Sequence, residues 1–310
     1  MFLSSRHDHA GGIIEYRTEC LTGIRTRICP ERIRRGIGAP VIPLYSNDGC
    51  PFCPDKIKEV TPVFPSGSRL CIGESTTFPN LYPYALFHIV TVMTHDHQVS
   101  QFTFDHLYDA LLGQICVMNE QTGYVSINWN YLPSAGASLP HPHLQGLTDV
   151  VPDTLPNAYI KGSEEYYHLH GRSWWDLLRE SESKSERCLS GTNLFWYAHH
   201  VPIGEKEIRC ILPGVTISDF QSSVFLFAKD LLRIIEFLQD MGHGAWNMSI
   251  FFGTDKEREY FSGFASIVAR INPNPLSTSD TAFMEKLHLE PVIMTLPEEL
   301  GSIWRNSNRE

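Results

Sequence analysis

The stretch Ser138-Leu139-Pro140-His141-Pro142-His143-Leu144-Gln145 restricts what this chain can fold into more than any other. Each of its imidazoles follows a proline. Proline fixes φ, removes a backbone donor and biases its predecessor toward extended geometry, so the run excludes a helix interior. In extended chain, residues i, i+2 and i+4 share a face, which sets His141, His143 and Gln145 side by side. Three groups able to ligate, attack or hydrogen-bond on one face read as a site before they read as a core. Two plainer readings stand beside it: a solvated polar face, or two rings on one metal ion.

With 310 residues, 42% of them hydrophobic, the chain is long enough for two domains of about 150 residues each. No window approaches the roughly 20 apolar residues of a membrane span. Residues 1–12 carry Arg6, His7, Asp8 and His9 without an apolar signal core, which argues against secretion. Eight scattered cysteines are no disulfide framework for so large a chain, so the expected compartment is the cytoplasm. A formal net charge of −10 argues against non-specific nucleic-acid binding. Against it stand Arg17, Arg25, Arg27, Arg32, Arg34 and Arg35, with no lysine among them, a bias toward planar forks that suit phosphate.

Along the chain, residues 23–29 read as a strand and a Pro/Gly-rich connection, 36–43, leads to Cys50-Pro51-Phe52-Cys53-Pro54. That spacing suits a metal knuckle or a redox pair, and the flanking prolines favour the knuckle. Residues 86–93 read as a buried strand that runs into Thr94-His95-Asp96-His97, two candidate ligands. Residues 102–120 carry apolar positions at helical spacing, 124–129 read as a strand, and 130–137 form a small-residue loop that could approach an anion. A Pro/Asp/Asn-rich crossover is expected over 149–162, a helix with Trp174, Trp175, Leu177 and Leu178 in the core over 164–182, and a solvated charged stretch over 180–186. Strands are expected over 195–197, 207–212, 246–252 and 264–271, with a helix ending near Gly242 that starts at a Ser218/Gln221 capping box. The second half echoes the first, as two α+β units that pack together or share a sheet would.

Taken in order, these motifs resemble the galactose-1-phosphate uridylyltransferase family, the two-repeat nucleotidyltransferase branch of the histidine-triad superfamily. Leu21-Thr22-Gly23 with Pro30-Glu31-Arg32-Ile33-Arg34-Arg35 is similar to the family's opening, Phe78-Pro79-Asn80-Leu81-Tyr82-Pro83 to its nucleotide-contacting segment, and Asn130, Gly136, Ser138, His141, His143 and Gln145 to its central signature. The end of the chain, Pro297-Glu298-Glu299 with Trp304-Arg305, is similar to the family's last helix. The resemblance implies an α+β fold of two histidine-triad-like repeats, mainly antiparallel sheet with packed helices. The expected division is residues 13–150, with the metal site and the His-Pro-His run, and 151–310 on the acceptor side.

By the same resemblance Cys50, Cys53, His97 and His141 hold one Zn2+, with His95 as the alternative to His97. A set of two thiolates and two imidazoles is closed, hence structural. His143 is then the nucleophile that takes a nucleoside monophosphate, Gln145 and Ser138 hold phosphoryl oxygens, and Arg32, Arg35, Asn80, Asn130, Gly136 and Glu285 bind substrate. The sequence departs from the family at Leu132, where glycine is usual, at Gly36, where proline is usual, and at Phe264-Ala265-Ser266-Ile267, where many members carry a second His-x-His strand. His199, His200 and His288 read first as surface or core histidines, and as acceptor-site groups second. The implied activity is nucleotidyl transfer from a nucleotide donor to a small phosphorylated acceptor, with no nucleic-acid or membrane partner and a homodimer as an open expectation. Its rivals are a nucleotide or dinucleoside-polyphosphate phosphorylase or hydrolase, a non-catalytic nucleotide-binding protein, and a hydrolase with His141 and His143 both on a catalytic metal.

Overall fold

In the computed structural model, residues 1–35, 43–270 and 280–307 are described, without the side chains of Arg34 and Arg35. Thirteen strands and seven α-helices are defined among them. A four-stranded sheet holds β1 (Phe2–His9), β2 (Gly12–Glu19), β3 (Arg25–Ile28) and β13 (Val292–Ile293), the last parallel to β3. The chain then passes through α1 (Ile57–Val60), β4 (Leu70–Ile72), β5 (Ser75–Pro79), β6 (Phe87–Val92), α2 (Phe104–Met118), β7 (Tyr124–Tyr131) and β8 (His143–Asp149). Two helices follow, α3 (Thr154–His170) and α4 (Trp174–Ser183). After them come β9 (Phe195–Ala198), β10 (Ile208–Ile211), α5 (Ile217–Gln221), α6 (Val224–Asp240), β11 (Ala245–Phe251), β12 (Phe264–Arg270) and, beyond β13, α7 (Pro297–Ser307).

The second sheet has nine strands in the order β4-β5-β6-β8-β7-β11-β12-β10-β9, and all its pairings are antiparallel. It reads the same outward from the β7–β11 seam: β8, β6 and β5 on one side, β12, β10 and β9 on the other. Each half also runs strand, strand, helix, strand, strand in sequence. The echo in the sequence is therefore a structural repeat, and the two copies share one sheet.

One face of that sheet packs on α2 and α6. At the seam, Trp129 and Tyr131 of β7 meet Trp246 of β11, with Tyr131 stacked on Trp246 at 4.4 Å. α2 is started by Thr103, whose hydroxyl accepts from His106 N at 3.2 Å, and its inner side buries Leu107, Leu111, Ile115 and Met118 at helical spacing. On the opposite face, α3 and α4 cover the second repeat with Tyr159, Trp174 and Trp175 against Tyr197, Ile211 and Phe264. The first repeat carries a smaller apolar group there, Ile57, Phe78, Val90 and Val92.

Four sequence expectations are corrected. The crossover over 149–162 and the helix over 164–182 are replaced by α3, which starts at Thr154 because Pro156 sits in the first turn, where no intrahelical donor is lost, and by α4. Gly171 ends α3 at φ 65°, a conformation glycine adopts without steric cost. The capping box belongs to Thr216 and Asp219, because Ser218 already lies inside α5. Finally, the charged stretch at 180–186 is not solvated throughout, since Glu182 is buried and ion-paired to Arg187 at 2.9 Å.

Gly146 shows how tightly α2 seats beneath β8. A Cβ built there would stand 2.2 Å from Gln114 Oε1, 2.9 Å from Ile89 Cγ1 and 3.0 Å from Met118 Sδ. Gly146→Ala should therefore overpack the core and lower stability by about 1–3 kcal/mol, read as a lower urea midpoint with an unchanged slope; a midpoint equal to that of the parent protein would refute the packing.

Candidate active site

Strand β8 begins at His143, between β6 and β7. Its register pairs His143 with Val92 and Gln145 with Val90, and sets Asn128 of β7 across from Gln145. Leu144 belongs to the core beneath α2 and α6, so the alternation of the strand presents His143 and Gln145 on the other face. The turn into the strand places His141 fully buried behind its start.

Cys50, Cys53, His97 and His141 converge there, with ligand atoms all within 4.8 Å of one another. Cys50 Sγ and Cys53 Sγ each lie 3.7 Å from His141 Nδ1, and Cys53 Sγ lies 3.5 Å from His97 Nδ1. An ion with tetrahedral bonds of about 2.0–2.3 Å would set such sulfur–nitrogen edges near ~3.5 Å, so the four residues can hold a metal. His141 Nε2 faces the Thr94 carbonyl at 2.9 Å, which directs its proton away from the thiols and its Nδ1 lone pair toward them. Burial depresses the His141 ring to about 4, so it is neutral, as a ligand must be. Burial, with Cys50 beside it, raises the Cys53 thiol to about 11, so a cation is what would bring it to the thiolate. His95 is exposed, and its backbone nitrogen donates to Glu74.

His143 is buried, and its Nδ1 lies 2.8 Å from the backbone carbonyl of His141. That contact fixes the proton on Nδ1 and leaves the lone pair on Nε2. Burial lowers the pKa of the ring, which favours the neutral nucleophilic form. Phe52, from between the two cysteines, meets the His143 ring edge-on at 5.2 Å. The knuckle thus packs directly against the second histidine.

Gln145 is oriented by residues that the sequence motifs did not single out. Tyr84 donates its hydroxyl to Gln145 Oε1 at 3.1 Å, and His88 Nε2 lies 3.1 Å from the same oxygen. The Asn80 amide nitrogen stands 3.0 Å from His88 Nε2 and 3.3 Å from Nδ1, and Tyr82 N donates to Asn80 Oδ1 at 2.9 Å. With its oxygen taken, Gln145 turns its amide donors outward. The available signal was the alternation of β6, which gives His88 the same face as Val90 and Val92 of the apolar group beneath the site.

Other expected site residues fall as follows. Ser138 and Gly136 are exposed in the loop before β8, with Gly136 at φ 90°. Leu132, where the family has glycine, is itself at φ 71° and ψ 158°, a glycine-favouring conformation held by a buried leucine. Asn130 accepts from Asn247 Nδ2 across the seam at 2.6 Å. Arg32 is exposed on the 3₁₀ turn Pro30–Arg35, and the side chain of Arg35 lies outside the described residues. The rest of the arginine cluster that is described is in ion pairs: Arg17 with Glu15 and Glu298, Arg25 and Arg27 with Glu290. Glu285 accepts from Ala282 N and Val292 N, which braces its own segment. His199 and His200 are core residues, and His288 packs on Phe283.

No protein-family model matches the chain. It is 28% identical over 309 residues to an uncharacterized protein of Archaeoglobus fulgidus, covering 94% of this chain and 93% of the relative. Among solved structures it is similar to an ADP-glucose phosphorylase from Arabidopsis thaliana with bound ADP-glucose, at a TM-score of 0.75 and 18% identity over 96% of this chain and 99% of that one. A GalT-like protein from Arabidopsis thaliana follows at 0.70 and 18%, covering 94% and 98%, and a uridylyltransferase mutant at 0.68 and 17%, covering 94% and 97%. The chain has the fold these structures share, as the sequence resemblance implied. No helix among the described residues is long and apolar enough to cross a membrane.

If the Cys/His cluster holds a metal, His97→Ala should lose that ion and melt at lower temperature, whereas His95→Ala should keep both metal and stability. Elemental analysis beside thermal melts decides it, and equal metal content in the two variants would exclude His97 as a ligand.

Proposed function

We propose that this protein is a nucleotidyltransferase that works by double displacement on His143. The observation that carries the reading is the 2.8 Å contact from His143 Nδ1 to the His141 carbonyl, which leaves Nε2 as the unprotonated nitrogen beside the outward amide of Gln145. In the first step Nε2 attacks the α-phosphorus of a nucleotide donor. The N–P bond forms as the bond from phosphorus to the leaving phosphate oxygen breaks. In the second, an oxygen of the acceptor phosphate attacks the same phosphorus and the N–P bond breaks. The proton stays on Nδ1, donated to the His141 carbonyl, throughout, so the ring needs no separate base.

Gln145 donates to a phosphoryl oxygen as charge is redistributed, with Ser138 from the facing loop as second donor. Asn80 acts one layer back, by holding His88. Asn130 and the open backbone at Gly136 border the same face, and Arg32 and Arg35 bring cationic forks to the phosphates. Cys50, Cys53, His97 and His141 would hold Zn2+, whose part is to tie the knuckle to the start of β8. A reduced cysteine pair in such a site agrees with the cytoplasm as the working compartment.

A second reading concerns the acceptor. Glu285 accepts one backbone N–H on each carboxylate oxygen and so braces its own segment, which leaves fewer acceptor positions for a hexose phosphate there. That favours a compact acceptor such as inorganic phosphate, which would make the reaction a phosphorolysis. The similarity in fold to an ADP-glucose phosphorylase agrees with this version.

Incubation with labelled nucleotide donors, followed by intact-mass measurement, should give a nucleotidyl adduct on the wild type and none on His143→Gly, which keeps its metal. Gln145→Ala should form the adduct about 10²–10³-fold more slowly, and His88→Phe should move the rate the same way by less. Turnover of donor by the wild type without any labelled His143 would end the double-displacement reading.

A further inference from the structure

A second set of ligating groups is closed inside the protein, on the side of the second repeat. Glu19 at the end of β2 faces His199 and His200, which follow β9, and the three offer ligand atoms within 4.8 Å of one another. Glu19 Oε1 lies 3.7 Å from His199 Nε2 and 3.5 Å from His200 Nε2. None of the three side chains is more than 1% exposed. We propose that Glu19, His199 and His200 form a second, structural metal centre for a divalent first-row transition ion.

The orientation of the rings supports this. Both histidines turn Nε2 toward the same carboxylate oxygen and Nδ1 outward, His200 to Glu182 Oε1 at 3.3 Å and His199 to the Tyr197 hydroxyl at 3.4 Å. An outer carboxylate or oxygen on the far nitrogen is the usual support of a metal-bound imidazole. In the Nδ1–H tautomer of both rings, two nitrogen lone pairs and a carboxylate oxygen face one spot, an arrangement that a cation between them would relieve. Both ring nitrogens of His200 are buried, and neither makes a hydrogen bond of acceptable geometry. The Tyr159 hydroxyl, 3.0 Å from Glu19 Oε1 and 3.4 Å from His199 Nε2, marks a fourth donor position.

The surrounding charges lean the same way. Glu15, Glu19, Glu182, Glu207 and Glu298 lie in one network with the guanidinium groups of Arg17, Arg187 and Arg209, and Arg6 reaches Glu15 from solvent. Carboxylates outnumber cations, and a buried surplus of negative charge is costly. Two imidazoles and one carboxylate suit zinc, iron(II), cobalt or manganese rather than calcium. Closure from solvent leaves no open position for substrate, so the role is structural. It would join β2 to the second repeat, where Arg17 already donates to the His200 carbonyl at 3.0 Å.

The wild type, Glu19→Gln and His200→Gln should each be loaded separately with zinc, cobalt, manganese and iron(II), desalted, and their metal per folded chain measured. The proposal expects the wild type to hold one ion more than either variant for at least one of these metals. The readout is a difference, so it stands whatever the Cys50 cluster holds. Equal content in all three proteins for every metal would overturn it. Should both variants fail to fold, cobalt titration of the wild type decides: a bound cobalt that adds no thiolate-to-metal absorption supports the second centre, and saturation after only the thiolate-absorbing ion removes it.

Discussion

The candidate site hangs on His141. Its ring faces the two thiols, its Nε2 is held by the Thr94 carbonyl, and its own backbone carbonyl receives Nδ1 of His143. One residue therefore joins the ligand cluster to the proposed nucleophile. The spacing matters for this reason: in extended chain the carbonyl of residue i lies within reach of the ring of residue i+2 on the same face, and the prolines on either side of His141 keep the chain extended. A metal in the cluster would stiffen both histidines at once, since it holds the ring of the first and, through Phe52 on the knuckle, packs the second. Metal binding and folding of this corner are then one event.

The shared sheet explains why only one such corner is found among the described residues. β12 stands in the second repeat where β8 stands in the first, each flanked by its hairpin partner and by an outer strand. On β8 the face away from α2 carries His143 and Gln145. On β12 the corresponding face carries Phe264, buried beneath Tyr159 and Trp175. α3 and α4 close that face, so the second repeat has become support. Across the seam it still braces the first repeat: Asn247 of β11 donates to Asn130 Oδ1 and to the Ala135 carbonyl, and is itself held by Arg270. The loop that carries Gly136 and Ser138 is thus pinned from the other half of the molecule.

Much of this was legible in the sequence, for physical reasons that differ by element. The helix at α2 and the strands β6, β7 and β11 declared themselves by periodicity, whereas the set Cys50, Cys53, His97 and His141, which the fold brings together, came only from the family resemblance. His88 and Tyr84 were not legible, because orienting an amide depends on a neighbour across the sheet rather than on local spacing. Residues 149–162 read as a crossover because Pro and Asp usually mark loops, yet both are at home in a first helical turn. Glu182 read as solvated because the chain around it is charged; only the fold supplies Arg187 and His200 as partners. The arginine cluster read as a bias toward forks that suit phosphate, with Arg32 and Arg35 implied as the phosphate contacts, and the fold commits Arg17, Arg25 and Arg27 to Glu15, Glu290 and Glu298 before any ligand arrives.

That last point bears on how an acidic protein could accept a phosphate anion. With Arg17, Arg25 and Arg27 in ion pairs, the described face of β8 would have to hold the phosphoryl oxygens of the proposed donor largely through hydrogen-bond donors. Gln145 is suited to that because Tyr84 donates to its oxygen, with His88 Nε2 beside it, which leaves the amide hydrogens for a ligand. The neighbouring thiols do not oppose the ligand in either state. Without a cation the Cys53 thiol is held protonated by its burial, and with a divalent ion two thiolates are neutralised. A double displacement fits such a centre electrostatically. In the double displacement proposed for it, the leaving phosphate would depart before the acceptor phosphate enters, so a site with few free cations would never have to hold both at once.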